Sequence, residues 1–330
     1  MKLHNRTCFL RYAPEMQGTW NEYGFQPAAF VTQWQRAYNA IKAIAPDVIM
    51  VWAPNTAQSY PYGESLSDSS LTQADINALD TNGDGTLTIA DDAFEPYYPG
   101  DDYVDWIGLS LYYKGPDTTS NINVVQPDGY CGQVIDGLNP NDGQAITPFY
   151  STYCEQKPDK ACMFAESGAA FHVNNSATGA SQLALQQAWI DGCITNSSLY
   201  DTYPRLKLNM HFEYEKMEYD GQIPDLRDYR VTNDSQVLEY FRGEIASIED
   251  TYFSWAQTSA VPTSLSSAGA PSPTASTIIN PITNTLRPRP TGFPTLFGTS
   301  DAASLLVELA QTLATAGAGV FGAVLVMRMI

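Results

Sequence analysis

The sequence predicts a parallel α/β fold for residues 1–255, organised as part of a TIM-type (β/α)8 barrel. Two observations support this prediction: short apolar runs alternate with longer amphipathic segments, and a glutamate follows or ends two of the runs, at Glu15 and Glu166. Such alternation builds parallel sheets, because each crossover between parallel strands needs a covering helix. Side chains at the carboxyl ends of the strands then meet at one face.

The predicted strands come in the order 7–13, 48–53, 104–111, a run that starts at residue 161 and ends at Glu166, and 205–212. The predicted helices lie near 27–45, 143–155, 178–196 and 233–249. In the first helix, apolar residues recur three or four positions apart, at Phe30, Trp34, Ala37, Tyr38, Ile41 and Ile44. A long insertion, 54–102, separates the second and third strands. These elements make about five βα units, whereas a complete barrel of this type has eight.

The beginning of the chain contains no apolar stretch of the kind that a signal peptide needs, since Met1 lies a few residues before the first strand. Five units also leave two sheet edges without neighbours, which proteins normally pair or cover. We therefore expect an N-terminal truncation that removed three units. The alternative is a genuine half-barrel.

The C-terminal part of the chain differs from the body. In residues 256–299, Pro, Ser and Thr dominate and the only charges are Arg287 and Arg289, which predicts a disordered, O-glycosylated linker or stalk. Residues 300–330 begin with small side chains and continue into an uncharged run, 309–327, long enough to cross a bilayer as an apolar helix. We predict a GPI-attachment signal there, with a retained transmembrane helix as the alternative.

The overall composition favours an extracellular protein. A formal net charge of −19 argues against nucleic acid as a partner, because binding to phosphates needs basic patches. Glycosylation sequons begin at Asn5, Asn174, Asn196 and Asn233. With the C-terminal features, they predict a monomeric glycoprotein of the cell surface or cell wall, held on the membrane by its anchor.

Five cysteines suit an oxidising compartment, in which four pair and one is left over. Cys162 begins a strand and Cys193 lies at the far end of the following helix, so these two are predicted to pair. Cys131 and Cys154 flank one connecting segment and are predicted to form the second disulfide. Cys8 remains without a partner.

Residues 80–91 match the spacing of a calcium-binding loop, in which Gly85 permits the bend. The predicted ligands supply oxygen atoms and are Asp80, Asn82, Asp84, Thr86 and Asp91. The alternative is a polar turn that binds no metal. Because the loop lies within the insertion, we expect a structural Ca²⁺ there and no cofactor for catalysis.

Glu15 and Glu166 have the arrangement of a catalytic pair. A retaining glycosidase holds two carboxylates about 5–5.5 Å apart, so that one protonates the leaving oxygen while the other attacks the sugar. Either glutamate alone would be interpreted as a solvated loop residue. The two together, at matching strand ends and among aromatic residues and glycines, favour catalysis.

Four segments resemble the family 26 glycoside hydrolases, which are β-mannanases and related endo-glycanases with a (β/α)8 barrel. They are Leu10–Trp20 (LRYAPEMQGTW), Val51–Asn55 (VWAPN), Tyr97–Gly108 (YYPGDDYVDWIG) and Glu166–Ala169 (ESGA). The resemblance covers about residues 7–250 and implies that these are barrel strands 4 to 8.

The resemblance also implies roles for individual residues. Glu15 would be the acid/base, Glu166 the nucleophile, and Tyr112 the tyrosine that orients the nucleophile. The implied substrate-binding residues are Arg11, Trp20, Trp52 and Asn55. Two positions depart from the family pattern, because Pro14 replaces a histidine and Gln17 replaces an asparagine. Both changes affect the subsite that recognises the sugar, so the choice of polysaccharide stays open.

Two classes of function follow from the sequence. The first is a retaining endo-β-glycosidase that hydrolyses a polysaccharide such as β-mannan. The second is a carbohydrate-binding or wall-structural protein of the cell surface that kept part of the barrel and lost catalysis. Hydrolysis of a glycan panel would discriminate between them.

Overall fold

The computed structural model describes residues 7–117, 121–219, 223–254 and 323–329. Its centre is a sheet of five parallel strands, namely β1 (Cys8–Arg11), β2 (Val48–Trp52), β3 (Trp106–Tyr113), β4 (Ala161–Ala169) and β6 (Leu206–Glu213). Each of these five strands lies beside the next of the five along the chain. Consecutive parallel strands in sequence order are what a barrel wall contains, so the parallel α/β fold and its five strands are confirmed and are consistent with part of a (β/α)8 barrel.

Beyond β6 the sheet continues with two antiparallel additions. β10 (Ala323–Met329) pairs with β6, and the short β9 (Phe253–Ser254) pairs with β10. Of the predicted C-terminal apolar helix, the structure describes only the β10 residues, and there the backbone is extended. The predicted linker, 256–299, lies outside the described residues. Within the described ranges no helix is both long and apolar enough to span a membrane.

The described residues form six α-helices: α1 (Pro27–Ile44), α2 (Gln73–Leu79), α3 (Tyr130–Asp136), α4 (Gln182–Trp189), α5 (Ser197–Thr202) and α6 (Ser235–Tyr252). Local sequence sets where they begin. Pro27 occupies the first turn of α1, where its missing N–H costs nothing, and the Asp234 carboxylate accepts hydrogen bonds from the first backbone N–H groups of α6. α1 then buries Phe30, Trp34 and Ala37 against the sheet.

Two predicted helices differ from the structure. The helix expected near 143–155 is only a π-helical turn, Tyr150–Glu155, because Gly143 adopts a left-handed conformation and Pro148 interrupts the segment. The helix expected near 178–196 begins at Gln182 and changes to π-helical geometry over Ile190–Ile194.

A second sheet was not predicted. It consists of β5 (Phe171–His172), β8 (Asp225–Asp228) and β7 (Glu215–Glu218), all antiparallel. The sequences EKME and DLRD are dominated by charged residues that pair with one another, so they lack the apolar alternation by which strands are usually found.

The four paired cysteines form bonds other than the predicted ones. The structure joins Cys131 to Cys193 and Cys154 to Cys162, and only Cys8 is free, as predicted. Helix α3 packs against the π-helical turn that carries Cys193. The chain reverses between Cys154 and the start of β4, and this brings Cys154 beside Cys162.

Candidate active site

Glu15 lies on a constrained turn after β1. Ala13 and Glu15 have φ angles of 43° and 56°, in the left-handed region that non-glycine residues seldom adopt. Each such residue costs roughly 1–3 kcal/mol and persists only where surrounding contacts fix it. One such contact is the Glu15 backbone N–H, which donates to the carbonyl of Ala53 just after β2 at 2.9 Å. The backbone contact with Ala53 therefore helps to set the direction of the Glu15 side chain.

The Glu15 carboxylate has two neutral donors. The Asn55 amide nitrogen donates to Oε1 at 2.9 Å, and the Trp20 indole N–H donates to Oε2 at 3.0 Å. Asn55 follows β2, so this side chain joins the ends of two neighbouring strands. Neither of these two donors, among the residues that the structure describes, is cationic.

The loop that carries Trp20 is compact. Backbone contacts close it, since the Phe25 N–H donates to the Met16 carbonyl at 2.9 Å. A Cβ atom on Gly24 would lie 1.7 Å from the Gly18 carbonyl oxygen, so only glycine permits this approach of the two backbone segments. The closed loop keeps the indole beside Glu15.

Glu166 is directed by a β-bulge. Leu109 on β3 pairs with Phe164, yet the next residue, Ser110, pairs with Glu166, so Ala165 is an extra residue on β4. Bulges re-aim side chains and are frequent next to functional sites. Here the bulge allows Glu166 to reach the residues at the ends of β1 and β3.

Glu166 differs from Glu15 in its partners. Arg11 Nη1 forms an ion pair with Oε2 at 2.5 Å, and the Tyr112 hydroxyl donates to Oε1. Arg11 also donates through Nη2 to the Ser110 hydroxyl at 3.0 Å. Both Glu166 oxygens are thus fixed, and a guanidinium compensates their charge.

Two tyrosines lie within electrostatic range of both Glu15 and Glu166. Burial and then the negative charge of Glu15 raise the pKa of Tyr23 to about 12, with a further contribution from Glu166. Burial and then the charge of Glu166 raise the pKa of Tyr112, and Glu15 contributes again. Each tyrosine lies within electrostatic range of both carboxylates, although 151 positions separate the two glutamates in the sequence.

The predicted substrate-binding residues fall into three groups. Trp20 is 48% exposed and borders Glu15, where a sugar could stack on it. Arg11 and Asn55 contact the two carboxylates directly. Trp52 is completely buried, and its indole N–H donates to the Tyr97 carbonyl at 3.0 Å. The prediction that Trp52 stacks against sugar is therefore wrong, because its side of β2 faces the aromatic core.

Tyr23 is a site residue that the sequence did not indicate. It is 39% exposed, and its hydroxyl donates to the carbonyl of Pro14, the residue before Glu15, at 2.7 Å. Nothing distinguishes this tyrosine from the nineteen others in the sequence. Its closeness to both carboxylates appears only when the loop is closed.

A charged network lies behind Tyr112. The Tyr112 ring packs edge-on to Tyr229 at 5.3 Å between centroids, and the Tyr229 hydroxyl donates to Glu218 at 2.6 Å. Burial opposes ionisation of Glu218, but the ammonium groups of Lys114 and Lys216 hold its pKa far below the usual range. The second sheet therefore supports the tyrosine that contacts Glu166.

The predicted calcium loop is held by its own hydrogen bonds. The Asp84 backbone N–H donates to Asp80 and Asn82 at 3.0 and 2.9 Å, so these oxygens converge as a calcium site would need. The hydroxyl and the backbone N–H of Thr86 lower the pKa of Asp84. Asp91 is buried and accepts backbone N–H groups on both oxygens, which bidentate ligation would have to displace. Among the described residues, no group of three His, Cys, Asp or Glu side chains is arranged around a metal position.

The sequons have different surroundings. Asn174 is exposed, whereas the Asn196 side chain caps α5 by accepting the Leu199 N–H at 3.3 Å. Asn233 is exposed and donates to Asp228 at 3.2 Å. Asn5 lies outside the described residues.

No protein-family model matches this sequence, and no curated protein matches it. Three solved structures that resemble it are mannanases. A double mutant of the Cellulomonas fimi endo-β-1,4-mannanase is 13% identical in sequence. The match covers 73% of this chain and 40% of the mannanase chain, with a TM-score of 0.40. The modular endo-β-1,4-mannanase from Cellulomonas fimi has 12% identity, the same coverage and a TM-score of 0.42. The catalytic domain of the Bacillus sp. JAMB-750 GH26 endo-β-1,4-mannanase has 12% identity, coverage of 73% and 50%, and a TM-score of 0.38. This chain spans half or less of the length of each.

Proposed function

We propose that this chain is a retaining endo-β-glycosidase, with Glu166 as nucleophile and Glu15 as general acid/base. The observation that supports the proposal is the difference between the two carboxylates. Glu166 pairs with the Arg11 guanidinium and accepts the Tyr112 hydroxyl, and these contacts orient a nucleophilic carboxylate. Glu15 is held instead by neutral N–H donors, from Asn55 and Trp20, an arrangement that suits a general acid/base.

The reaction would take two steps. In the first, a Glu166 oxygen bonds to the anomeric carbon while the glycosidic bond breaks and Glu15 gives its proton to the leaving oxygen. In the second, Glu15 takes a proton from water, the water oxygen attacks the anomeric carbon, and Glu166 is released. Two inversions retain the configuration of the sugar.

The substrate we propose is a β-linked polysaccharide such as β-mannan. The sequence resemblance of the strand-end motifs supports β-mannan as the first candidate, and the exposed Trp20 and Tyr23 rings beside Glu15 support stacking on sugar faces. The sequons and the C-terminal composition support an extracellular location with a GPI anchor or a transmembrane helix. The proposed structural Ca²⁺ would bind the 80–91 loop.

Substitution of the two glutamates tests the proposal. Glu166→Ala should abolish turnover of a β-mannan and of an activated aryl β-glycoside, and azide should then yield the α-glycosyl azide. Glu15→Ala should lose about 10²–10⁴-fold on the polysaccharide, which needs a protonated leaving group, and much less on the aryl glycoside. Azide should then trap the β-glycosyl azide.

Glu22→Ala is the matched control, because Glu22 is an exposed glutamate of the same loop. Its rates should equal those of the unaltered chain. Unchanged turnover by Glu166→Ala would exclude Glu166 as nucleophile. A chain that binds β-glycans without cleaving any of them would instead be the carbohydrate-binding surface protein.

A further inference from the structure

Gln17 is a polar side chain buried completely beside the acid/base. It is 0% exposed and stands two residues after Glu15. Its carboxamide contacts the main chain of a single residue twice. The Asn55 N–H donates to Gln17 Oε1 at 2.9 Å, and Gln17 Nε2 donates to the Asn55 carbonyl at 3.0 Å. This reciprocal pair fixes both the position and the orientation of Asn55.

Asn55 in turn contacts Glu15. Its amide nitrogen donates to Glu15 Oε1 at 2.9 Å, and its backbone forms a parallel bridge with Ser110. Ser110 accepts a hydrogen bond from Arg11, which also holds Glu166. The segment at Asn55 therefore links the two carboxylates through a continuous set of hydrogen bonds.

The two donors to Glu15 differ in how firmly they are held. The Trp20 indole is half-exposed, so its hydrogen bond to Glu15 lies open to solvent. Asn55 is held by the carboxamide of Gln17. Because that carboxamide is completely buried, solvent cannot replace either of its hydrogen bonds. The buried contacts of Gln17 therefore support the orientation of the Glu15 carboxylate through Asn55.

We propose that Gln17 is a positioning residue for the acid/base: it holds Asn55, and the Asn55 amide directs the Glu15 carboxyl group toward the leaving oxygen. The inference rests on the proposed function, in which Glu15 protonates that oxygen. Loss of Gln17 should then impair the step that needs the proton and spare the step that does not.

The decisive comparison uses one variant and two leaving groups. Gln17→Met keeps the length of the side chain and removes both hydrogen bonds. With a β-1,4-mannooligosaccharide, kcat of this variant should fall about 10- to 100-fold, while KM changes little. General acid catalysis as a whole supplies about 10²–10⁴-fold, so the expected loss is a part of that contribution. With a dinitrophenyl glycoside of the same sugar, whose leaving group needs no proton, glycosylation should slow less than twofold.

Three further variants separate positioning from a general structural role. Gln126→Met is the matched control, since Gln126 is a buried glutamine that donates to the Ala188 carbonyl far along the sequence from both glutamates. It should lower both rates equally or not at all. Gln17→Asn retains a donor and an acceptor and should recover part of the loss. In an Asn55→Ala background, Gln17→Met should add no further loss, because it acts through Asn55.

Equal losses on both substrates, or additive losses with Asn55→Ala, would overturn the inference. If the unaltered chain cleaves neither substrate, the proposed function fails, and crystal structures of the unaltered chain and of the Gln17→Asn and Gln17→Met variants still decide the inference. The bond from Asn55 to Glu15 should be present in the unaltered chain and broken in Gln17→Met. An unchanged bond in that variant would refute a positioning role.

Discussion

Tyr112 links the proposed nucleophile to the aromatic residues behind it. Its hydroxyl donates to Glu166, and its ring contacts Phe212 and Tyr229 at centroid distances of 5.8 and 5.3 Å. These contacts fix the ring independently of the hydroxyl. A change that removes only the hydroxyl therefore tests the hydrogen bond alone.

Tyr112→Phe should lower kcat on the proposed substrate about 10²–10³-fold with little change in KM, the range seen when one preorganised donor is removed. Circular dichroism and the melting temperature should stay close to those of the unaltered chain. Tyr113→Phe is the control, because the Tyr113 hydroxyl makes only a 3.4 Å contact with the Val125 carbonyl. Equal kinetics for the two variants would contradict the role of Tyr112.

The sequence motifs indicated Glu15, Glu166 and Tyr112 as catalytic candidates, and in the structure the three lie near one another. The same motifs misplaced Trp52. Successive side chains of a strand point to opposite faces, so an aromatic residue near a strand end faces the site or the core according to a single step in register. Val51 lies on the inner face, and Trp52 therefore packs outward among aromatic rings. The motif contains no signal for that step.

The 80–91 loop is the element whose predicted ligand remains to be tested. Asp80, Asn82 and Asp84 supply converging oxygens, and the Asp91 carboxylate closes the loop on its own backbone. A calcium ion that binds only the folded chain would stabilise it by mass action, by about 2.7 kcal/mol at one hundred times the dissociation constant. Chelation should therefore lower the melting temperature, and added calcium should restore it.

Asp84→Ala should remove that sensitivity to calcium. Asp142→Ala provides the control, because Asp142 also accepts a backbone N–H within an exposed turn, from Gln144 at 2.9 Å. It should leave the calcium response unchanged. If neither chelator nor added calcium changes the melting temperature, the loop is a polar turn that binds no calcium.

The elements found from the sequence are those with a simple apolar pattern. The buried strands β2 and β3 and the amphipathic helix α1 are examples. The β7–β8 hairpin was missed because its stability comes from specific partners, such as the buried Arg227, which pairs with Glu218 at 2.7 Å. The disulfides were mispaired for a related reason. Sequence separation does not show that α3 packs against the turn bearing Cys193.

Tyrosines whose pKa values are raised in the folded chain make its stability sensitive to alkaline pH. Burial raises the pKa of Tyr113 to about 12, and burial together with the charge of Asp105 raises that of Tyr38 to about 12. The unfolded chain releases these protons near pH 10. Between about pH 10 and 12 the unfolded state then binds fewer protons than the folded state, so stability falls as pH rises.

Urea unfolding at several pH values from about 9 to 11 should show this loss, which is absent below the pKa of unfolded tyrosine. Tyr113→Phe should make the decline shallower, because it removes one of the contributing groups while keeping the buried ring. A free energy of unfolding that stays level across this range would contradict the prediction. So would a Tyr113→Phe variant with the same slope as the unaltered chain.

The inner face of the parallel sheet is an apolar surface that the described elements leave partly uncovered. Phe9, Ile49, Trp106 and Met210 are only half-buried there, around the small buried cluster that contains Ala165. Within the part of the chain that the structure describes, β1 pairs with β2 alone. Parallel sheets are normally covered on both faces, and open strand edges promote association.

We therefore expect the chain to self-associate through this face, in place of the monomer expected from the sequence. Light scattering at increasing concentration should show a rising mass, and Phe9→Lys should reduce it by placing a charge on the face and beside the open edge. Ile44→Lys is the control, since Ile44 is 60% exposed at the end of α1 on the helical side. Its mass should rise as that of the unaltered chain does. If the unaltered chain stays monomeric, or if both lysine variants behave alike, the inner face does not drive association.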